Sequence, residues 1–225
     1  MKIFIALIMA AMLLTSCARQ PVNKGVSFSS ASTGLLKNNL APFPIYLTDK
    51  MESREALEKK YSDDLFLVHT GHVLKPNLDK AANEKNLSSL SEQGFNLVNL
   101  TLEDFVIADS QGINFEQFVD VPFINSSVID LNIDNLATAR NISSNVVVDG
   151  IAFIGLSDAK IDKKLTKEKY IINDYVLAIL KVKKAALNEN DPETLRSFII
   201  IHNLGNKIND VMIRLPPSFI NSLAD

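Results

Sequence analysis

The apolar positions of this chain fall into runs of different character. Ile3 to Leu14 is an unbroken apolar stretch of twelve residues preceded by Lys2. A bilayer core needs about 20 apolar residues to cross, so this run is short for a span and fits the centre of a cleaved export signal. Residues 18–44 show no sustained period. Gly25, Ser27, Ser29, Ser30, Ser32, Thr33 and Gly34 cluster ahead of Pro42 and Pro44, the composition of a flexible tether. Periodic segments begin beyond Ile45 and continue to Leu215-Pro216-Pro217.

Within that part the pattern predicts alternating elements. Lys50–Lys60 reads as a short helix with Glu and Lys on a solvated face, and Leu65–His69 as a buried strand. Leu78–Gln93, after Pro76, reads as a helix closed by Gly94, and Phe95–Leu100 as a second strand. Phe105-Val106-Ile107 fits strand or helix equally. Ile129–Ile142 gives the clearest helical spacing, with Ile129, Ile133, Leu136 and Ala137 on one face and Ser127 or Asp130 as caps. Val146–Ile154 reads as one strand with a bulge at Asp149-Gly150, and Tyr175–Val182 and Phe198–His202 as the last two strands around an Asn188–Pro192 loop. Helices between the early strands imply a crossover, and the later strands imply an antiparallel meander. The expected class is α/β, an α+β sandwich with a mixed sheet of about five strands and helices packed on one face.

The end of the signal adds chemistry. Leu14-Thr15-Ser16-Cys17 resembles the bacterial lipobox, in which a branched residue and two small ones precede a cysteine whose thiol takes a diacylglyceryl group. Cys17 is the only cysteine, so it has no disulfide partner in the chain. Lipidation at Cys17 is expected, with cleavage between Ser16 and Cys17. Ala18 in place of aspartate points, by likeness to enteric sorting rules, to the periplasmic face of the outer membrane. The organisation is then a signal peptide over 1–16, a lipidated N-terminus and tether over 17–44, and a single periplasmic domain over 45–225.

A net charge of −3 with 23 basic and 26 acidic side chains argues against electrostatic capture of nucleic acid. Side chains able to do chemistry are present without a recognisable motif. His69 and His72 flank Gly71 at a predicted strand end and His202 closes another, yet no fourth zinc ligand stands at a known spacing. The carboxylate pairs Glu103-Asp104, Asp63-Asp64 and Asp130/Asp134 read as solvated faces, since paired acid–base work needs two carboxylates across one cleft. No serine lies in Gly-x-Ser-x-Gly, and Gly205-Asn206-Lys207 builds no phosphate-cradling loop. Arg140, interrupting the apolar face of the second helix, must find a carboxylate or reach solvent. No catalytic residue, cofactor or metal ligand is assigned, and a non-enzymatic role is expected.

From Asp64 to Pro217 the order of elements resembles FlgO-type flagellar outer-membrane lipoproteins. More loosely, it resembles the α/β domains of curli-secretion and penicillin-binding-protein activator lipoproteins. The matching pieces are Leu65–Gly71, Leu78–Gln93, Gly94-Phe95-Asn96-Leu97-Val98, Asp109-Ser110-Gln111-Gly112, Ile129–Asn141 leading into Val147–Ile151, Tyr175–Lys181 and Leu215-Pro216. Residues 113–128 and 157–173 are longer than the family's links. The resemblance implies a structural or assembly lipoprotein of an envelope complex such as the flagellar basal body. Its partners would be the membrane through the N-terminal lipid, other envelope or flagellar proteins and further copies of itself. The alternatives are a lipid- or small-ligand-binding periplasmic lipoprotein and a secretion-system or cell-wall-synthase accessory. A hydrolase using Asp149 or His202 ranks behind these.

Overall fold

The computed structural model describes residues 25–30, 34–36, 41–61, 64–133, 140–160, 169–189, 195–216 and 219. The strands are β1 (Gly25–Ser30), β2 (Gly34–Leu35), β3 (Ile45–Thr48), β4 (Phe66–His69), β5 (Leu97–Asn99), β6 (Phe123–Ile124), β7 (Val128–Asp130), β8 (Ile142–Ser143), β9 (Asn145–Val148), β10 (Ile151–Leu156), β11 (Tyr170–Ile172) and β12 (Ser197–His202). The helices are α1 (Arg54–Lys60), α2 (Lys80–Glu92), α3 (Leu102–Gln111), α4 (Tyr175–Glu189) and α5 (Lys207–Arg214).

The α/β class expected from sequence is the class observed. A six-stranded mixed sheet, ordered β2-β3-β4-β5-β6-β8, is parallel throughout except for β2. Helices α1, α2 and α3 cover one of its faces through Leu57, Leu87, Leu90 and Phe105, packed with Leu67, Val98 and Phe123 of the strands. A four-stranded sheet, ordered β1-β12-β10-β9, packs on its other face. Ile45, Leu47, Val68, Leu97 and Ile124 of the first sheet meet Ile151, Phe153, Ile199 and Ile201 of the second. Phe66 and Phe153 stack across this seam at 5.0 Å between ring centroids. The outer face of the second sheet, through Ala152, Ile154, Phe198 and Ile200, packs on Val176, Ile179, Val182 and Ala186 of α4 and on Val211 of α5. The molecule is therefore layered helix, sheet, sheet, helix. Strands buried on both faces read as unbroken apolar runs, which is why Phe198–His202 is so conspicuous.

Several expectations are corrected here. Tyr175–Val182 belongs to the fifteen-residue helix α4. Its Val176, Ile179, Val182 and Ala186 line one face, and the Asp174 carboxylate caps it by accepting from the amides of Val176 and Leu177. That helix is a crossover, so β10 and β12 pair in parallel and form no antiparallel meander. Asp149-Gly150 is a two-residue hairpin turn joining antiparallel β9 and β10, with φ of 48° and 76°, and not a bulge. Left-handed backbone at both positions is what an Asp-Gly hairpin supplies. Ile129 lies in strand β7, paired with β11, and not in a helix; residues 134–139 of that expected helix, including Asp134, lie outside the described residues. The tether reading of 17–44 gives way over Gly25–Ser30 and Gly34–Leu35, which pair with β12 and β3. Serine and glycine composition did not reveal that these backbones complete sheet edges. Asp63, Cys17 and the signal segment lie outside the described residues.

Asp79, not singled out above, caps α2 by accepting from the amide of Ala82. The expected close of this helix at Gly94 matches. Gly94, at φ 77°, ends it, with the amides of Gly94 and Phe95 donating back to the carbonyls of Ser91 and Leu90.

The seam also holds the side chain of Asn99. Asn99 Nδ2 donates to the Leu156 carbonyl at 3.2 Å, and among the described residues its buried Oδ1 accepts no hydrogen bond. A Cβ at Gly155 would run into that Oδ1 and lie 3.1 Å from Ile124 Cγ1. Gly155→Ala is therefore expected to lower unfolding free energy by about 1–3 kcal/mol. Asn99→Ala in the same chain should recover part of the loss. Urea denaturation of the three variants checks this, and an unchanged midpoint for Gly155→Ala would refute the crowding.

Candidate active site

In parallel sheets the strand carboxyl ends open onto a shared edge where ligands are received. Here the two sheets bring the ends of β4, β5, β6, β10 and β12 together. The amide of Leu102, just after β5, donates to Ser157 Oγ at 2.6 Å, just after β10. Ser157 in turn donates its amide to Ser127 Oγ at 2.8 Å.

The centre of this edge is the turn after β4. Gly71 has φ 116° and His72 has φ 58°, two left-handed residues in succession. Glycine is required at 71, since a Cβ there would meet Thr101 Cγ2 and lie 2.9 Å from the Asn99 carbonyl oxygen. A non-glycine residue at positive φ is strained, and such strain persists only where surrounding contacts hold it. Those contacts come from Asp104, whose buried carboxylate accepts the amides of His72 at 3.0 Å and Leu74 at 2.8 Å. The same carboxylate accepts the Thr101 amide and hydroxyl and completes a capping box at the start of α3.

The turn aims the His72 ring between two partners from different layers. His72 Nδ1 lies 3.0 Å from Glu103 Oε2, and Nε2 lies 3.1 Å from Asn203 Nδ2. A carboxylate only accepts, so Nδ1 carries the proton and Nε2 presents a lone pair toward the Asn203 amide. Asn203 is oriented for this because its Oδ1 accepts the Asp158 amide at 2.7 Å. Asp158 Oδ1 pairs with Lys207 Nζ at 2.6 Å. The result is a continuous chain from Glu103 through His72, Asn203 and Asp158 to an ammonium that is half exposed. A carboxylate-backed imidazole whose second nitrogen carries a lone pair is suited to accept a proton from water.

The other two histidines close β4 and β12 in the same way. His69 Nδ1 accepts the amide of Gly71 and His202 Nδ1 that of Leu204, at 3.2 and 3.3 Å. Burial drives both imidazoles down to about 4, with Lys75 adding to the effect at His69. They are neutral structural groups. Asp149 lies in the β9–β10 hairpin at the opposite end of β10 from Leu156, outside the cluster.

Arg140 finds carboxylates, as the sequence required. It pairs with Asp109 at 2.8 Å and with the fully buried Asp130 at 3.1 Å, and Lys169 pairs with both. Burial raises Asp109, but hydrogen bonds from Tyr170, Arg140 and Lys169 outweigh it and hold the carboxyl below its usual range. The network staples the β7–β11 ribbon to α3. Glu103 and Asp104, taken from sequence as a solvated pair, are a site partner and a buried cap. Asp130 is likewise buried, and Asp64 also has a partner. Asn203, Asp158 and Lys207 were not singled out as a group. Their signal was positional, each following an apolar strand by a few residues.

No family model and no curated protein matches the chain. Among solved structures, a 5′-nucleotidase precursor from Thermus thermophilus superposes with a TM-score of 0.56 at 12% identity, over 85% of this chain and 39% of that one. A Thermus thermophilus sulfate thiohydrolase superposes at 0.53 and 10% identity, over 72% of this chain and 30% of that one. The fold is one that hydrolases use. The chain spans less than half the length of either protein, and identities this low speak to fold alone.

A fold shared with these hydrolases runs against the expected structural or assembly role, its ligand-carrier and accessory alternatives, and the expectation of a non-enzyme. Two segments that carried the flagellar likeness also differ in kind: Tyr175–Lys181 is helical, and Ile129–Asn141 begins as a strand.

The buried histidines set a pH dependence. Their folded values lie below the ordinary 6.5, so the unfolded chain binds protons first. The stability they contribute is complete above about pH 6.5 and is lost as pH falls toward 4, by up to about 3 kcal/mol per group. Urea unfolding at pH 7 and pH 4.5 should show the loss. His69→Asn with His202→Asn, which keeps an acceptor for each amide, should flatten it; equal pH dependence in the variant would contradict the assignment.

Proposed function

We propose that the chain is a phosphoester hydrolase acting at the strand-end cluster. The observation that carries this is the His72–Glu103 pair, held on a strained turn at the carboxyl ends of two facing sheets. The fold shared with a 5′-nucleotidase precursor supports phosphoesters, nucleotides among them, as the substrate class. In this reading the Asn203 amide turns from His72 Nε2 to a phosphoryl oxygen and the Lys207 ammonium offsets its charge. Water attacks phosphorus as Nε2 takes its proton. The bond to the leaving oxygen breaks, and the imidazolium, stabilised by Glu103, returns the proton to that oxygen. The cluster would thus work with groups from both sheets.

Assay of the purified chain with p-nitrophenyl phosphate, its bis ester and 5′-nucleotides tests the proposal. His72→Ala should lower kcat by about 100-fold or more, and Glu103→Gln by about tenfold, with folding unchanged by circular dichroism. Turnover that is absent, or equal in wild type and His72→Ala, removes it.

We also propose that this hydrolase is tethered to the outer membrane by lipid on Cys17, on the strength of Leu14-Thr15-Ser16-Cys17 following a twelve-residue apolar run. Cys17→Ser should abolish labelled-palmitate incorporation and release the protein from the membrane fraction. Retention of both labelling and membrane association would exclude the anchor.

A further inference from the structure

Phosphoester hydrolysis is commonly assisted by metal ions that clamp the attacking and leaving oxygens. The strand-end residues do not fit such a centre. Among the described residues no group of three or more His, Cys, Asp or Glu side chains converges to hold an ion. Apart from the buried Asn99 Oδ1, a neutral amide oxygen, the acceptors at this edge named here are already engaged by protein donors. Glu103 accepts from His72 Nδ1, and Asp104 from three backbone amides and a hydroxyl. Asp158 Oδ1 accepts both the Lys207 ammonium and the amide of Ala159 at 2.7 Å. The Nδ1 atoms of His69 and His202 are taken by the amides of Gly71 and Leu204. A divalent ion would have to displace these donors, each of which already compensates the charge it meets.

We propose that this centre binds the phosphate group of its substrate without a divalent cation, with Lys207 as the resident positive charge and the Asn203 amide as a donor. This rests on the functional reading above. Lys207 is placed for the role because it stands at the first turn of α5, half exposed, on the carboxylate of Asp158, whose backbone amide holds the Asn203 side chain against His72. Its charge balances Asp158 at rest and is available to an incoming phosphate, whereas a metal-based site would place its cation against carboxylates left open for it.

The test uses the full chain, with inorganic phosphate as the probe. Metal content is measured by mass spectrometry, and phosphate affinity by calorimetry in EDTA and again with added Mn²⁺ or Zn²⁺. The expected result is substoichiometric metal and the same phosphate affinity in both conditions. Lys207→Gln should weaken phosphate by about tenfold and Lys207→Arg should restore it. Phosphate binding that appears only with added metal, or stoichiometric metal lost on His72→Ala, overturns the inference while leaving the functional reading in place. No phosphate binding in either condition overturns both.

Discussion

The buried carboxylate of Asp104 ties together the parts on which the strand-end edge depends. It accepts amides from the turn after β4 and from the residue that opens α3, so it fixes a loop and a helix start with one group. Burying that charge is tolerable because four donors surround it. Without them the left-handed backbone at His72 would have nothing to oppose its strain, and the imidazole would not be held between Glu103 and Asn203. The register of the site is thus set by a residue that touches none of the chemistry.

A second ionic group does comparable work at the other end of α3. Asp109, Asp130, Arg140, Lys169 and Tyr170 bring together four chain segments that share no strand pairing beyond the β7–β11 ribbon. Breaking one partner of such a set leaves a charge uncompensated, which costs more than the pair contributes when whole. Between these two networks the inter-sheet seam is almost wholly apolar. Asn99 interrupts it, and Gly155 makes the room for its side chain.

The strands buried on both faces, and the helix closed by Gly94, were legible because burial and a terminal glycine each leave a local mark. The helix α4 was not. Its first eight residues are apolar enough to pass for a strand, and the helical spacing becomes plain only when Lys183, Lys184 and Ala186 are included. Reading it as a strand also turned a parallel crossover into a meander. Asp149-Gly150 carried a hairpin signal, but the apolar residues on either side masked it. The site left little trace in spacing, since His72 meets Glu103 across 31 positions and Asn203 across 131. What could be read was that apolar strands end in His, Asn and Thr, residues with little reason to stand there for packing alone.

The edge position of β1 has a consequence for how the molecule would stand at a membrane. Gly25 is paired with Ser197 at the start of β12, and Ser30 with His202 at its finish. The chain therefore enters the body at the amino ends of the parallel strands, about eight residues after Cys17, a reach under roughly 30 Å even when fully extended. An acyl group at Cys17 would hold that entry end close to the bilayer on a short leash. His72 and its partners would then point away from the lipid, toward whatever diffuses through the space beyond.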